Sequence, residues 1–273
     1  MDRPTTDRTN LYRTAAGHPV VYADIITALK KSGVCRGDCL FVHSDVSRFG
    51  LAGNVGSRRV LFDQLLQALY EAVSESGTII MPTFTYSFTD GKVYDHDHTP
   101  STVGMLTEYF RKQDDTIRTV HPIFSVAVRG TDKDYFLSGL GKDSFGEDSI
   151  FGRLHARHAH LLFFGAPFQS CTFVHYIEKL ASVPYRFVKT FDGTIRAGDR
   201  TFSDSYQFLV KHLDQDVVTD LSRLEDHLLE NGVMKKVPLG DGHLLRVSTD
   251  DMVKAGMQLL HDDIYFFLKH PPR

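Results

Sequence analysis

The sequence predicts an α/β fold in which a mixed sheet is flanked by helices and carries antiparallel hairpin additions. Two patterns support this prediction. A strand, a helix and a second strand follow one another over residues 38–84, an order typical of a right-handed parallel crossover. Over residues 185–206, aromatic and β-branched residues alternate with turn signals, which favours antiparallel hairpins. A purely doubly wound sheet is therefore not expected.

Composition excludes several classes of protein. The 273 residues include 31 Lys+Arg and 34 Asp+Glu, and the formal charge of −3 provides no field for holding a phosphate backbone. We therefore expect no nucleic-acid partner. Three cysteines make no disulfide framework and fit a reducing compartment, and no apolar run is long enough to span a membrane. The polar N-terminus has no signal-peptide core, so we expect a cytoplasmic protein without membrane contact.

The elements can be predicted in order along the chain. Apolar spacing predicts helices over 21–33, 58–77, 103–113, 222–232 and 248–270, the last capped by Ser248 or Thr249, and a further helix beginning near Thr172. Short apolar runs predict strands over 38–44, 77–84, 124–130 and 160–165, and a hairpin over 233–248. Further turns are expected at Asp192-Gly193 and Ala197-Gly198. We expect residues 1–273 to form a single domain, with a tail of about residues 1–16 free to be flexible.

Residues 84–103 lack periodicity, and a loop of this length in a compact chain usually covers a functional site. It contains Asp95, His96, Asp97 and His98, an H-x-H pattern that can ligate zinc. No further ligand follows at a standard spacing, so we predict no metal. We interpret the run as an acidic, solvated loop that can attract an amine.

The densest chemical constellation is TFVHYIEK. His175 and Glu178 lie three residues apart and share one face of a helix, as a general base and its carboxylate would. With Thr172 as the N-cap, His175 would lie in the first turn. The alternative is structural: His175 caps the helix or meets a core carbonyl, and Glu178 pairs with a surface cation.

His121 precedes a proline and a strand, so its side chain is fixed at a strand edge, either for function or to orient the backbone. Cys171 and His175 could form a thiol–imidazole couple, but we expect Cys35, Cys39 and Cys171 to be buried and inert.

The segment HSDVSRFGLAGNVGSRR joins a strand end, glycines and a helix start, a combination that binds phosphate through backbone amides. It is neither a Walker A loop nor a G-x-G-x-x-G fingerprint. Arg48, Arg58 and Arg59 make a diphosphate-bearing cofactor plausible, although surface arginines are more often simply solvated.

Six segments in order across residues 38–186 resemble the aminoglycoside 3-N-acetyltransferase family: FVHSDVSRFG, GTIIMPTFTY, TPSTVGMLTEYFR, IRTVHPIFSVAVRG, FGEDSIFGRL and TFVHYIEKLASVPYR. The resemblance implies one acyl-CoA-dependent N-acetyltransferase domain in which acetyl-CoA, as co-substrate, runs along the sheet edge towards a buried histidine. The catalytic residues it implies are His175 and Glu178. Combined with the motifs above, it gives as cofactor-binding residues His43, Ser44, Arg48, Thr83 and Ser125, and as acceptor-binding residues Tyr86, Asp95, Asp97, His121 and Arg186.

The implied reaction is direct transfer. An ammonium is no nucleophile, so His175 must take a proton as the amine attacks the thioester, while backbone amides or the hydroxyl of Ser44 or Thr83 stabilise the oxyanion. The segment after VPYR is more similar to members that act on surface polysaccharides. We therefore expect an amino sugar for surface polysaccharide as the small-molecule acceptor, with an aminoglycoside antibiotic as the alternative. Two rivals of other classes are a metal-dependent hydrolase and an inactive sugar-nucleotide binder, and the oligomeric state is left open.

Overall fold

The structure is a computed structural model that describes residues 9–272. Its helices, in chain order, are α1 (Tyr22–Lys31), α2 (Arg58–Val73), α3 (Met105–Arg111), α4 (Lys133–Leu137), α5 (Ile150–Ala156), α6 (Val174–Leu180), α7 (Ser222–Glu230) and α8 (Thr249–Asp262). None of the helices between residues 9 and 272 is long and apolar enough to cross a membrane.

The strands are β1 (Asn10–Arg13), β2 (Pro19–Val21), β3 (Cys39–Ser44), β4 (Leu51–Ala52), β5 (Thr78–Pro82), β6 (Tyr94–Asp95), β7 (Ile117–Arg118), β8 (Val126–Gly130), β9 (His160–Phe164), β10 (Arg186–Ala197), β11 (Arg200–Lys211), β12 (Lys235–Leu239) and β13 (Gly242–Ser248). A seven-stranded sheet has the order β12-β13-β9-β3-β5-β8-β7, and two three-stranded sheets have the orders β2-β1-β4 and β11-β10-β6. The predicted mixed α/β fold is confirmed.

The centre of the large sheet is parallel and its flanks are antiparallel. β3 runs parallel to β5 and to β9, whereas β13 and β8 join this central group in the opposite direction. The predicted crossover from β3 through α2 to β5 is therefore present. As a result, the carboxyl ends of β3, β5 and β9 lie at one edge of the sheet, where α/β proteins bind ligands.

The central strands are buried on both faces. Phe41 and Phe163 belong to one apolar cluster, which also includes Ile177 of α6. Val42 and Phe164 belong to a second cluster on the other face of the sheet. The second cluster is covered mainly by α1 and α2. Alternate side chains of one strand point to opposite faces, so the sheet separates two cores.

β10 and β11 form one long antiparallel hairpin, paired from Arg186↔Lys211 to Ala197↔Arg200. The predicted turn at Gly198 is confirmed, but the one at Asp192-Gly193 is wrong because both residues lie inside β10. A Cβ on Gly193 would stand 2.6 Å from Cε2 of Phe88. The absence of a side chain at Gly193 therefore allows the Phe88 ring to pack against the strand, and this glycine does not form a turn.

The N-terminal tail is not free over its whole predicted length. β1 pairs with β2 and with β4, and Leu11 and Tyr12 are buried. The ring of Tyr12 packs edge-on against Phe49 at 5.7 Å. Burial of these apolar side chains fixes residues 10–13, and residues 14–16 belong to the hydrogen-bonded turn between β1 and β2. The part of the prediction that concerns residues 1–8 falls outside the described residues.

Helix starts were predicted with mixed success. The hydroxyl of Ser248 accepts a hydrogen bond from the Asp251 amide at 3.0 Å, which confirms the predicted cap of α8. The Thr172 cap is wrong: α6 starts at Val174 after Phe173, without a side-chain cap. Thr172 gives only its backbone oxygen, to the His175 amide.

The cysteine prediction fails at one position. All three cysteines are free, and Cys39 and Cys171 are buried, but Cys35 is exposed because it lies in the turn that follows α1. Its thiol donates to the Gly33 carbonyl at 3.3 Å.

Candidate active site

A cleft of about 460 Å³ opens at the carboxyl ends of the parallel strands. One wall comes from the ends of β3 and β5 and the segment after β9, and the other from the loop before α3 and the first residues of that helix. The lining residues are His43, Ser44, Asp45, Val46, Ser47, Pro82, Phe84, Tyr86, Val103, Gly104, Met105, Leu106, Ala166, Pro167, Ser170 and Thr172.

A smaller cavity of about 180 Å³ adjoins the cleft and contains His175 and Arg186. Ser170 and Thr172 line both spaces. The segment between β9 and α6 thus borders both spaces, and His175 lines the smaller one.

The predicted His175–Glu178 pair is formed. Nδ1 of His175 lies 2.6 Å from Oε2 of Glu178, whose side chain is fully buried, while 23% of the His175 side chain is exposed. An ionised carboxylate only accepts hydrogen bonds, so Nδ1 carries the proton and Nε2 is the basic nitrogen. The ring of Phe145 packs edge-on against the imidazole at 5.5 Å.

Glu178 is held as a carboxylate although it is buried. Burial alone raises its pKa, but the charge and hydrogen bond of His175 and the charge of Arg186 outweigh this effect and hold the pKa below its ordinary value. Nε of Arg186 lies 2.6 Å from Oε2, although its N–H is not aligned on that oxygen. Burial, and then the charge of Glu178, raise the pKa of the neighbouring Tyr185.

His43 lines the cleft as a neutral imidazole. Its ring stacks on Phe163 at 5.0 Å and meets the edge of Phe41 at 5.0 Å. Burial lowers its pKa to about 3, and among the residues described here its Nε2 has no hydrogen-bond partner. Ser44 and Tyr86, both predicted as ligand contacts, line the same cleft.

Arg48 lies beside the cleft but does not line it. Its Nε donates to Asp45 at 2.8 Å, and 56% of its side chain is exposed. Asp45 is in turn a lining residue, so Arg48 reaches the cleft only through its partner.

Thr83 and Ser125 line neither cavity. Both are fully buried in a network in which Ser125 donates to the Thr83 carbonyl at 2.8 Å and the Thr83 hydroxyl donates to Ser125 at 3.0 Å. Arg118 donates to the Ser125 hydroxyl at 3.0 Å and to the Thr83 carbonyl at 2.8 Å. Thr83 and Ser125, both predicted to bind the cofactor, therefore stabilise the end of β5 from within the core and do not line the cleft.

Asp95 and Asp97 also line neither cavity. Asp95 accepts from the His98 amide at 2.9 Å and Asp97 from His96 Nδ1 at 2.7 Å, so their oxygens hold the loop together. The loop lines the cleft only near its ends, whereas β6 in its middle pairs with β10. No group of three metal-ligating side chains is found within residues 9–272.

His121 is buried with Nδ1 accepting from the Phe124 amide at 3.0 Å. Its ring meets Tyr206 at 4.8 Å, and it lines neither cavity. Burial lowers its pKa to about 3, against a small opposing effect of Asp143. The structure shows the backbone-orienting contact that was one of the two readings of this residue.

Sequence reasoning missed Gln169 and Thr219, which help to close the smaller cavity. Gln169 Nε2 donates to the Thr219 carbonyl at 2.9 Å. The two residues lie 50 positions apart in no recognisable motif, so only the fold reveals their contact.

The fold and the site define a class of protein: an α/β enzyme with a ligand cleft at the sheet edge and a carboxylate-supported histidine beside it. The chain belongs to the aminoglycoside 3-N-acetyltransferase family, whose model matches residues 41–261. It is an N-acyltransferase that uses acetyl-CoA as co-substrate, as the sequence resemblance predicted.

Named relatives agree with this assignment. The chain is 28% identical over 257 residues to the aminoglycoside N(3)-acetyltransferase IV of a Salmonella species, covering 92% of this chain and 90% of the relative. It is 30% identical over 191 residues to the SPbeta prophage-derived aminoglycoside N(3')-acetyltransferase-like protein YokD of Bacillus subtilis, covering 62% of this chain and 67% of the relative.

Solved structures share the fold. The crystal structure of aminoglycoside acetyltransferase AAC(3)-Xa superposes with a TM-score of 0.76 at 19% identity, covering 91% of this chain and 94% of the other. The binary complex of AAC-IIIb with CoASH gives 0.75 at 20% identity, covering 92% and 98%. At such identities the likeness establishes the architecture.

Proposed function

We propose that this protein transfers the acetyl group of acetyl-CoA to the 3-amino group of an aminoglycoside. The observation that carries the proposal is the His175–Glu178 pair, whose partly exposed imidazole borders a cavity that shares Ser170 and Thr172 with the cleft. Family membership and the names of the relatives support the acceptor class. They favour the aminoglycoside over the polysaccharide amino sugar that the sequence suggested first.

His175 is the proposed base. Its Nε2 takes the proton of the acceptor amine while the nitrogen–carbon bond forms and the carbon–sulfur bond breaks, and it then delivers that proton to the departing sulfur. Glu178 holds the ring through Nδ1 and stabilises the imidazolium. Acetyl-CoA supplies the activated acetyl group.

The cleft has the size and lining of a site for a small-molecule substrate. Its volume lies in the range of small-molecule sites, and its lining is largely apolar with a few polar groups, among them His43, Ser44 and Tyr86. Near the Met105 wall, Arg58 approaches the Met105 sulfur at 3.8 Å. Arg58 also begins α2 after its cap Ser57, so a cation and a helix N-terminus, which both favour anion binding, lie together beside the cleft.

A second candidate acceptor is an amino sugar with fewer positive charges. Asp45 is the one acidic residue among the described side chains that line the two cavities, and it already bonds Ser47 and Arg48. Capture of a polycation depends on opposite charge near the site. This observation favours the amino sugar, whereas family membership favours the aminoglycoside.

A substrate panel separates the two acceptors. Release of free CoA is measured with several aminoglycosides and several amino-sugar nucleotides at equal concentrations. The proposal predicts higher kcat/KM on at least one aminoglycoside. Higher kcat/KM on the sugar nucleotides would assign the second candidate, and no CoA release with any amine would remove both.

A further inference from the structure

Arg186, the first residue of β10, contacts the carboxylate of the base pair as an ion-pair partner. Its Nε lies 2.6 Å from Oε2 of Glu178, the same oxygen that His175 contacts. Its NH2 group donates to the hydroxyl of Thr219 at 3.1 Å. The guanidinium is therefore held from two sides, and only 8% of the side chain is exposed.

The support continues into the cavity wall. Gln169 binds the Thr219 carbonyl through Nε2 and accepts from the Leu221 amide at 2.9 Å. Residues 169 and 219 both border the smaller cavity, as do His175 and Arg186. The chain of contacts from Gln169 through Thr219 and Arg186 to Glu178 thus fixes the carboxylate relative to the wall of the cavity.

We propose that Arg186 is a positioning residue for the reaction, which holds Glu178 ionised and oriented and keeps His175 from retaining its proton too strongly. This inference rests on the proposed function. It replaces the prediction that Arg186 binds the acceptor, because the guanidinium is already committed to Glu178 and Thr219. Glu178 and Arg186 together are neutral, so the group of His175, Glu178 and Arg186 carries no net charge before His175 takes the amine proton and one positive charge after it.

Among residues 9–272, the other ionisable groups around this carboxylate are Tyr185, Lys179 and Asp263, whose charge acts on Tyr185. Tyr185 contacts Glu178 from the segment before β10, and it stays neutral because its pKa is raised by burial and by the carboxylate. Next to Glu178 on α6, Lys179 is paired with Asp143 of the loop before α5. Arg186 is therefore the cation that directly contacts the Glu178 carboxylate. Its removal should increase proton binding by His175.

The test compares Arg186→Gln and Arg186→Lys with the wild type, and uses Arg196→Gln as the matched control. Arg196 lies on the same strand, with 55% of its side chain exposed and a surface contact to Asp95. The pKa of His175 is measured by NMR on histidine-labelled protein without substrates, with its signal among the 14 histidines assigned from His175→Ala.

We expect Arg186→Gln to raise the pKa of His175 by about one unit, the size of effect of a neighbouring charge. The acidic limb of kcat/KM should move up by the same amount, and kcat should fall more than the acceptor KM rises. Arg186→Lys should retain much of the wild-type behaviour, and Arg196→Gln should change neither quantity. Should Arg186→Gln fail to fold, Thr219→Val, which removes one fixing hydrogen bond, should shift the pKa in the same direction by less.

An unchanged pKa of His175 in Arg186→Gln, with a raised acceptor KM, would overturn the inference and restore the substrate-binding role. The titration needs no turnover, so its result is independent of the proposed function. A shifted pKa in a protein that acetylates nothing would refute the acetyl transfer and leave the charge coupling standing.

Discussion

Burial decides what each histidine of the site can do. His43 and His121 are buried, and burial lowers the pKa of each to about 3, so both are neutral and weakly basic. His175 keeps a partly exposed ring whose Nδ1 is held by Glu178. A general base works best when its pKa lies near the working pH and its nitrogen is accessible. His175 meets the requirement of access, and the other two do not.

Replacing His175 with Ala should lower kcat by about a hundred- to ten-thousandfold, the usual contribution of a general base. Binding of CoA should remain, because the cleft itself is lined by other residues. Glu178→Gln should lower kcat less, because the amide oxygen can still accept from Nδ1. Initial rates of CoA release and calorimetric titration with CoA measure the two effects.

The exposed His261 of α8 provides the control, since His261→Ala makes the same change at a residue that lines neither cavity. Wild-type rates are expected for it. A His175→Ala enzyme that keeps more than about a tenth of the wild-type kcat would show that the base is another residue.

The His175–Glu178 pair was predictable because residues three apart on a helix share a face. The contact of Arg186 with Glu178 was not predictable, because it crosses the turn between α6 and β10. Thr83 follows one strand and Ser125 precedes another in the matching segments. The sequence does not show whether a side chain at a strand end faces the cleft or the core. Only the network around Arg118 shows that these hydroxyls face away from the cleft.

At the scale of elements, one carboxylate joins the long loop to the helix that forms a wall of the cleft. Glu108 of α3 accepts from the Ser101 amide at 2.9 Å and from Arg111 at 2.8 and 2.7 Å. Arg111 also donates to the Asp97 carbonyl at 2.8 Å. Burial alone raises the pKa of Glu108, but these partners outweigh it and lower the pKa to about 2.

Glu108 should therefore make stability depend on pH. Its folded pKa lies below the ordinary value of 4.5, so its contribution to the free energy of unfolding is complete above about pH 4.5 and is lost as the pH falls towards 2. Glu108→Gln should lower the urea midpoint near neutral pH, and the difference from wild type should shrink below pH 4.5. Urea unfolding across this range measures it.

Glu230→Gln, at the exposed end of α7, is the control and should leave the midpoint unchanged at every pH. The urea midpoint of Glu108→Gln is compared with that of the wild type down to pH 3. If it stays lower by a constant amount, the packing of the Glu108 side chain, and not its ionisation, accounts for its contribution to stability.

Elements with strong periodicity were predicted well, and special backbone positions were not. The apolar stripes of α1 and α2 and the turn at Gly240 follow from local chemistry. Gly193 is predicted to be a turn residue. The structure instead requires glycine there because the ring of Phe88, 105 positions earlier in the chain, packs against it. A sequence pattern does not distinguish these two uses of glycine.

At the scale of the whole molecule, the order of the strands creates the site. The parallel group β9-β3-β5 brings three carboxyl ends together, and α6 places His175 beside them. Neighbouring strands joined by one helix could be predicted, as β3 and β5 show. The pairing of β3 with β9, more than a hundred residues away, follows from the assembly of both cores and leaves no local signal.

Because CoA binds the folded protein, it should raise the melting temperature. The expected gain is about 2.7 kcal/mol at a hundredfold excess over Kd. Differential scanning fluorimetry with CoA, and with adenosine as a control that lacks the thiol arm, measures the shift. We expect a concentration-dependent rise with CoA. No shift and no calorimetric heat at millimolar CoA would contradict the assignment of the cleft.

The most direct test of the account is product analysis after incubation of the protein with acetyl-CoA and an aminoglycoside. We expect stoichiometric release of CoA and a single acetyl group, placed by NMR on the 3-amino nitrogen, with almost no acetylated product formed by His175→Ala. Acetylation of a hydroxyl or of another amine, or equal product from His175→Ala, would contradict it.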